Sequence, residues 1–173
     1  MAFISKKIED LMNYRIQQEE YSSRIYRAMA VYLDFMGYTG AAKLYYKYAN
    51  EEMVHAKVAY DYLLDLDLLP NVPSLESPQQ TFTSLPEIIK VTYEHELDVT
   101  NQCNDLAKAA LAENDFMTLE KAQWYLTEQT EEIKKSSLLM NRVESFVQET
   151  NGSYNKTDLQ ELDEYLGELA EGD

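Results

Sequence analysis

Apolar residues return every third or fourth position over long stretches of this chain, the spacing of helices that bury one stripe. Ile8, Met12, Ile16 (or Arg15 in its place), Tyr26, Ala30 and Leu33 follow it and predict a first helix over about Ile4–Met36. Gly37 and Gly40 bracket a short turn. Tyr45, Tyr48, Ala59 and Tyr62 then predict a second helix over about Ala41–Asp67. Each would span about 40–50 Å at the helical rise, and the short turn makes the two antiparallel. The stretch Leu69–Ser84 differs, with Pro70, Pro73 and Pro78 among polar residues. It is long enough to cross a bundle, so the third helix should run parallel to the second. Ser84 is the expected N-cap of that helix, with Pro86 in its first turn and Glu87 three residues on. The stripe Ile89, Tyr93, Thr100, Cys103, Ala107, Ala110 continues to a break at Ala112–Phe116. Leu119, Ala122, Leu126, Ile133, Ser136, Met140 and Val143 mark a fourth helix. After a second break at Asn151–Asn155, a short amphipathic segment, Thr157–Leu169, could dock on the bundle or meet a neighbouring subunit. The expectation is one all-α domain over residues 1–173, a four-helix bundle at about 4–149 and a fifth helix at about 157–169.

Acids and amides interrupt all four stripes. Glu19 falls on the first, Glu52 and His55 on the second, Glu96 on the third, and Gln129 and Glu132 on the fourth. A buried polar group left unpaired costs about 2–7 kcal/mol, so one per helix makes sense if they meet around a cation. Residues i and i+3 share a helix face, so each pair can aim at one point. Single Glu ligands from two helices with paired ligands from the other two is the layout of a di-metal carboxylate bundle. Carboxylate oxygen with one imidazole suits iron or manganese. Glu19, Glu52, His55 and Glu96 could hold one ion, with Glu52 and Glu96 shared with or near a second. A lone Glu-x-x-His is more often an exposed pair, and the coincidence across four helices is what favours a site. Tyr26, two turns after Glu19, could hydrogen-bond a ligand carboxylate or give an electron to bound oxygen, although packing is the default for a tyrosine. Glu51, Glu128 and Glu131 flank the set, either as ligands of a further ion or as a solvated face. Trp124 is open in the same way, although most single tryptophans pack.

Charge narrows the picture. The 173 residues carry 31 acids against 15 bases, a net charge of −16. A nucleic-acid partner calls for a basic patch, and none is present. No segment approaches the roughly 20 apolar residues of a membrane span. The N-terminal stretch lacks the apolar run and cleavage site of a secretory signal, which predicts a cytoplasmic protein. Cys103 has no partner for an internal disulfide.

At these residues the chain resembles the bacterial non-haem ferritins. The resemblance is carried by EEYSSRIYRAM (Glu19–Met29), YANEEMVHAKVAYDYL (Tyr48–Leu63), YEHEL (Tyr93–Leu97) and QWYLTEQTEEIK (Gln123–Lys134), with LPNVPSLESP similar to the family's long loop. It spans nearly the whole chain and is weakest over the last 25 residues or so. It implies a ferroxidase centre in which Glu19, Glu52, His55 and Glu96 serve one iron and Glu52, Glu96, Gln129 and Glu132 a second. A third iron position would use Glu51, Glu128, Glu131 and Glu132, and Tyr26 would stand beside the centre. Gln129 and Glu132 replace the second Glu-x-x-His of bacterioferritins and weigh against that sister family. Met53 occupies the place of the haem-binding methionine, but a methionine also occurs there in haem-free relatives, so no haem is expected. The resemblance further implies a homo-oligomeric cage of 24 subunits with the tail lining a symmetry axis. Within it Fe²⁺ would be oxidised by O₂ or H₂O₂ and stored as mineral. A di-iron oxidase or peroxide-reducing bundle that stores no iron would share the ligand set.

Overall fold

A computed structural model describes residues 3–172 and contains five helices: α1 (Lys6–Met36), α2 (Thr39–Asp65), α3 (Leu85–Ala112), α4 (Phe116–Phe146) and α5 (Lys156–Glu171). Local signals in the sequence set their ends. Ser5 starts α1 by accepting the Ile8 N–H at 3.2 Å, two residues later than the apolar pattern suggested, although Ile4 is still buried. Gly37 ends it in the left-handed region at φ 88°, where the Tyr38 N–H reaches back to Leu33 O at 2.9 Å. Ser84 caps α3 through the Glu87 N–H at 3.1 Å, as expected. The Glu87 carboxylate, however, turns to the Thr83 hydroxyl at 2.7 Å. At the break between α3 and α4, Asn114 takes φ 56° and Asp115 caps α4 through the Thr118 N–H at 3.0 Å.

The antiparallel pairs α1–α2 and α3–α4 form the four-helix bundle. The connection from Leu66 to Ser84 runs along α1. Asn71 N donates to Asn13 Oδ1 at 2.7 Å near its start, and the Tyr32 hydroxyl donates to Phe82 O near its end. Those anchors lie 19 residues apart on α1, about 28 Å of helix. The loop therefore crosses the bundle, and α3 starts from the same end as α2.

The second break is more ordered than the sequence suggested. Glu149–Thr150 and Ser153–Tyr154 pair as a two-residue hairpin around Asn151–Gly152, whose positive φ values of 52° and 76° suit an Asn-Gly turn. Asn155 then caps α5 by accepting the Thr157 N–H at 2.8 Å. α5 docks on the bundle against α2, burying Leu159, Leu162 and Leu166. Gly40, which the sequence places in a turn, lies inside the first turn of α2 at the crossing with α5. A Cβ there would come within 2.2 Å of Asp163 O. Asp163 Oδ1 accepts the Ala41 N–H at 2.7 Å, so α5 supplies the side-chain cap that Tyr38, at the N-terminus of α2, does not.

The core is divided in two. One apolar cluster gathers Tyr26–Leu33 of α1, Ala41–Ala49 of α2, Leu85–Ile89 of α3 and Leu139 of α4. The other gathers Ile8–Ile16, Ala59–Leu63, Val99–Ala110 and Ala122–Tyr125 from the same helices. Between them lies a belt of buried polar side chains: Glu19, Ser22 and Ser23, Glu52 and His55, Thr92 and Glu96, and Gln129 and Ser136.

Candidate metal centre

The belt sits half-way along the bundle because each stripe switches from apolar to polar at the same level. At that level the Ser23 hydroxyl donates to Ala49 O at 2.6 Å, tying α1 to α2. Tyr125 donates to His55 O at 2.8 Å, tying α4 to α2. These links fix the backbone from which the side chains of the belt project.

Glu19, Glu52 and His55 converge. One donor atom from each lies within 4.8 Å of the other two, a spacing that could hold a metal ion. His55 Nδ1 is 3.4 Å from Glu52 Oε2, the one-turn relation expected from their sequence spacing. Glu96 closes the belt from α3. It accepts hydrogen bonds from the Tyr26 hydroxyl and, at 3.0 Å, from Gln129 Nε2. Gln129 also donates to Glu96 O at 3.3 Å, so α4 is held to α3 at the level of the site. Burial raises the Glu52 carboxyl well above the usual carboxylate range, with the charges of Glu19 and Glu96 adding to it. Glu96 is raised mainly by burial, against the opposing hydrogen bonds from Tyr26 and Gln129. Burial also raises Glu132, against the pull of Lys135. So many carboxylates in a low-dielectric layer favour their neutral forms unless a cation joins them.

The flanking acids divide. Glu128 Oε2 lies 3.7 Å from His55 Nε2. Glu51 and Glu132 instead face Lys135, whose Nζ is 2.8 Å from Glu132 Oε1 and 4.0 Å from Glu51 Oε2. Burial works against the Lys135 charge, but Glu132 and Glu51 outweigh it and hold the ammonium above its ordinary pKa. Glu131 is exposed. Met53 points outward, 43% exposed. Trp124 packs its ring edge-on to His55 at 5.7 Å.

Tyr26 is fully enclosed. Its ring lies 6.1 Å from Tyr45, 5.9 Å from Tyr48 and 5.8 Å from His95. Burial, then the Glu96 and Glu52 charges, raise its phenol well above 10. Three neighbours escaped the sequence reading. His95, next to Glu96, shares a hydrogen bond with the Ser22 hydroxyl at 2.8 Å, and burial pushes it down to about 4. Arg15 ion-pairs with Glu19 at 2.7 Å. Lys135 covers Glu132. The signal for Arg15 was present, since it competed with Ile16 for a core position. Lys135, one turn after Glu132, carried no signal beyond that spacing.

Residues 9–146 match the ferritin family, described as a ferritin-like domain. The chain belongs to that family. Its similarity to the bacterial non-heme ferritin of Shigella flexneri is 36% identity over 132 residues, covering 76% of this chain and 80% of the relative. The bacterial non-heme ferritin of Campylobacter jejuni is 30% identical over 151 residues, 87% of this chain and 90% of that protein. Among solved structures, the open pore ferritin of Archaeoglobus fulgidus superposes with a TM-score of 0.88 at 29% identity. That match covers 95% of this chain and 98% of the other. The agreement extends past the bundle, so α5 belongs to the shared architecture. The polar belt therefore lies within a ferritin-like bundle whose helix order, long α2–α3 crossover and fifth helix all match the expected fold.

Proposed function

We propose that this protein stores iron, taking up Fe²⁺, oxidising it at the polar belt and depositing Fe³⁺ as an oxide mineral inside a cage. The observation that carries this reading is the buried belt itself, in which Glu19, Glu52 and His55 share one small volume in a ferritin-family bundle. Glu19, Glu52, His55 and Glu96 would hold one Fe²⁺ and Glu52, Glu96, Gln129 and Glu132 the second, about 3.5–4 Å away as in two-metal sites generally. Glu19, Glu52, Glu96 and Glu132 offer four negative charges, matching the four positive charges of two Fe²⁺. Hard carboxylate oxygen favours the more highly charged Fe³⁺, which lowers the cost of oxidation. Two Fe²⁺ give one electron each to O₂, which takes up two protons and leaves as H₂O₂; H₂O₂ can serve as oxidant in its turn. Gln129 is neutral where a second His or Glu would bind more firmly, so the second position should be the weaker. Tyr26 holds Glu96 by its hydroxyl and stands where an electron could pass to oxygen.

A homo-oligomeric cage of 24 subunits in the cytoplasm fits the family and the exposed apolar side chains. Val31, Phe35, Leu69 and Val72 are each more than half exposed on the isolated subunit. No helix among the described residues is long and apolar enough to cross a membrane.

The test loads the metal-free protein with Fe²⁺ in air, follows Fe³⁺ formation by absorbance, and separates the product by size. Oxidation faster than in the Glu52→Ala/His55→Ala variant, with iron retained in a large assembly, is the expected result. A small oligomer that oxidises Fe²⁺ and retains none would make it a di-iron oxidase instead.

A further inference from the structure

Lys135 projects from α4 one turn after Glu132 and bridges it to Glu51 of α2, in the flank where the resemblance to ferritins would put a third ion. We propose that the Lys135 ammonium is a resident cation that fills this flanking position, so that the subunit binds two metal ions and not three. The inference rests on the di-iron reading above.

Three observations support it. Lys135 Nζ lies 2.8 Å from Glu132 Oε1 and 4.0 Å from Glu51 Oε2, so one ammonium already bridges acids from α2 and α4. Glu128, the other acid of this flank, points away, its carboxylate 3.7 Å from His55 Nε2. And Lys135 lines two spaces at once. One is a cavity of about 10 Å³ beside Tyr26, Glu96 and Glu132. The other is an outer cavity of about 350 Å³ bounded by Tyr48, Glu51, Leu138 and Tyr165. With Tyr48, which also lines both, the side chain thus stands between the polar belt and the groove under α5.

A lysine in this place acts differently from a bound metal. Its charge is tethered to the helix and cannot be exchanged, and it brings three donors but no open coordination position. It lowers the repulsion among Glu51, Glu131 and Glu132 that would otherwise draw in a divalent ion. A third ion could enter only if the ammonium swung out into the outer cavity, leaving two acids to repel each other again. Such a protein should turn over iron as a pair with no flanking reservoir.

The assembled, metal-free protein is titrated with Fe²⁺ without oxygen and, separately, with redox-inert Zn²⁺, each followed by calorimetry. The wild type is expected to bind two ions per subunit in the tight phase. Lys135→Leu should bind three, and Glu51→Gln added to Lys135→Leu should return the count to two. Lys135→Arg, which keeps the cation, and Lys134→Leu, at an exposed neighbour, should stay at two. Circular dichroism and size-exclusion chromatography establish that each variant is assembled, and Lys135→Gln serves if the leucine variant does not assemble. Three tightly bound ions in the wild type, or two in both Lys135→Leu and Lys135→Gln, would overturn the proposal while leaving the di-iron reading standing. A wild type that binds no pair at all would remove that reading, and the inference with it.

Discussion

Arg15 Nε stands 2.7 Å from Glu19 Oε1, and both side chains are 2% exposed. The rest of the guanidinium faces Gln102 Oε1 at 3.2 Å, Cys103 Sγ at 3.6 Å and the Tyr125 ring at 5.7 Å. Neither Arg15 Nε nor its second terminal nitrogen makes a well-directed hydrogen bond among the described residues, so the Glu19 contact is ionic in character. A permanent positive charge therefore sits at one edge of the belt, with Lys135 at the other. Between them the carboxylates are partly neutralised before any metal arrives.

Removing one partner of a buried ion pair costs about 3–5 kcal/mol, because the other is left uncompensated. Arg15→Met should lower the stability of the metal-free protein by about that amount. Zn²⁺ offers Glu19 a replacement cation, so the deficit should shrink once metal is bound. Thermal midpoints of wild type and variant with and without Zn²⁺ measure it; an equal gap in both conditions would mean that Arg15 acts through packing alone.

Tyr26→Phe keeps the ring against Tyr45 and Tyr48 but removes the donor to Glu96. Hydrogen bonds to charged groups contribute about 1.5–3 kcal/mol, on the order of 10- to 100-fold in an equilibrium or rate. The variant should fold, bind the same number of Zn²⁺ ions, and oxidise Fe²⁺ about tenfold more slowly in stopped-flow absorbance. An unchanged rate would reduce Tyr26 to packing.

Much of this was legible in the sequence because helical periodicity and burial obey the same geometry. An acid inside an apolar stripe, as at Glu19 and Glu96, is improbable without a partner, and four stripes switching at one level identified the belt. The bundle, the long crossover and the Ser84 cap follow from equally local signals. Other features depend on tertiary contact. Gly40 reads as a turn residue, yet its purpose is the approach of α5. Arg15 looks like an alternative to Ile16, and both are buried, since the guanidinium found Glu19 one turn away. Lys135 sits on a face that sequence alone would leave to solvent, and only the position of Glu51 across the helix pair gives it a second partner. The Asn151–Gly152 dipeptide carried a hairpin signal that strands of two residues are too short to reinforce.

Gly40→Ala places a methyl group where Asp163 O lies 2.2 Å away, so α5 must shift. Overpacking of this kind costs about 1–3 kcal/mol, and the displaced Asp163 would also release the Ala41 N–H it caps. Limited proteolysis should cut the variant near the hairpin well before the wild type. Zn²⁺ stoichiometry should be unchanged, because the belt lies further along α2. Equal proteolysis would mean that α5 accommodates the methyl in place.

Cys103 is fully buried between Arg15 and the apolar cluster that holds Val99 and Leu106, and burial pushes its thiol up to about 11 against the opposing influence of Arg15. The thiolate is the nucleophile, so the native protein should be inert to iodoacetamide at pH 8, where the neutral thiol dominates. The sign for stability follows from the same shift. The folded chain keeps this proton over the window in which the unfolded chain releases it. The contribution of Cys103 is therefore full below about pH 8.5 and is lost as pH rises through 11. Alkylation in native buffer should proceed only at the rate of structural opening, and Cys103→Ala should flatten the alkaline fall in stability. Rapid labelling at pH 8 in the folded protein would show that the thiol reaches solvent without the helices parting.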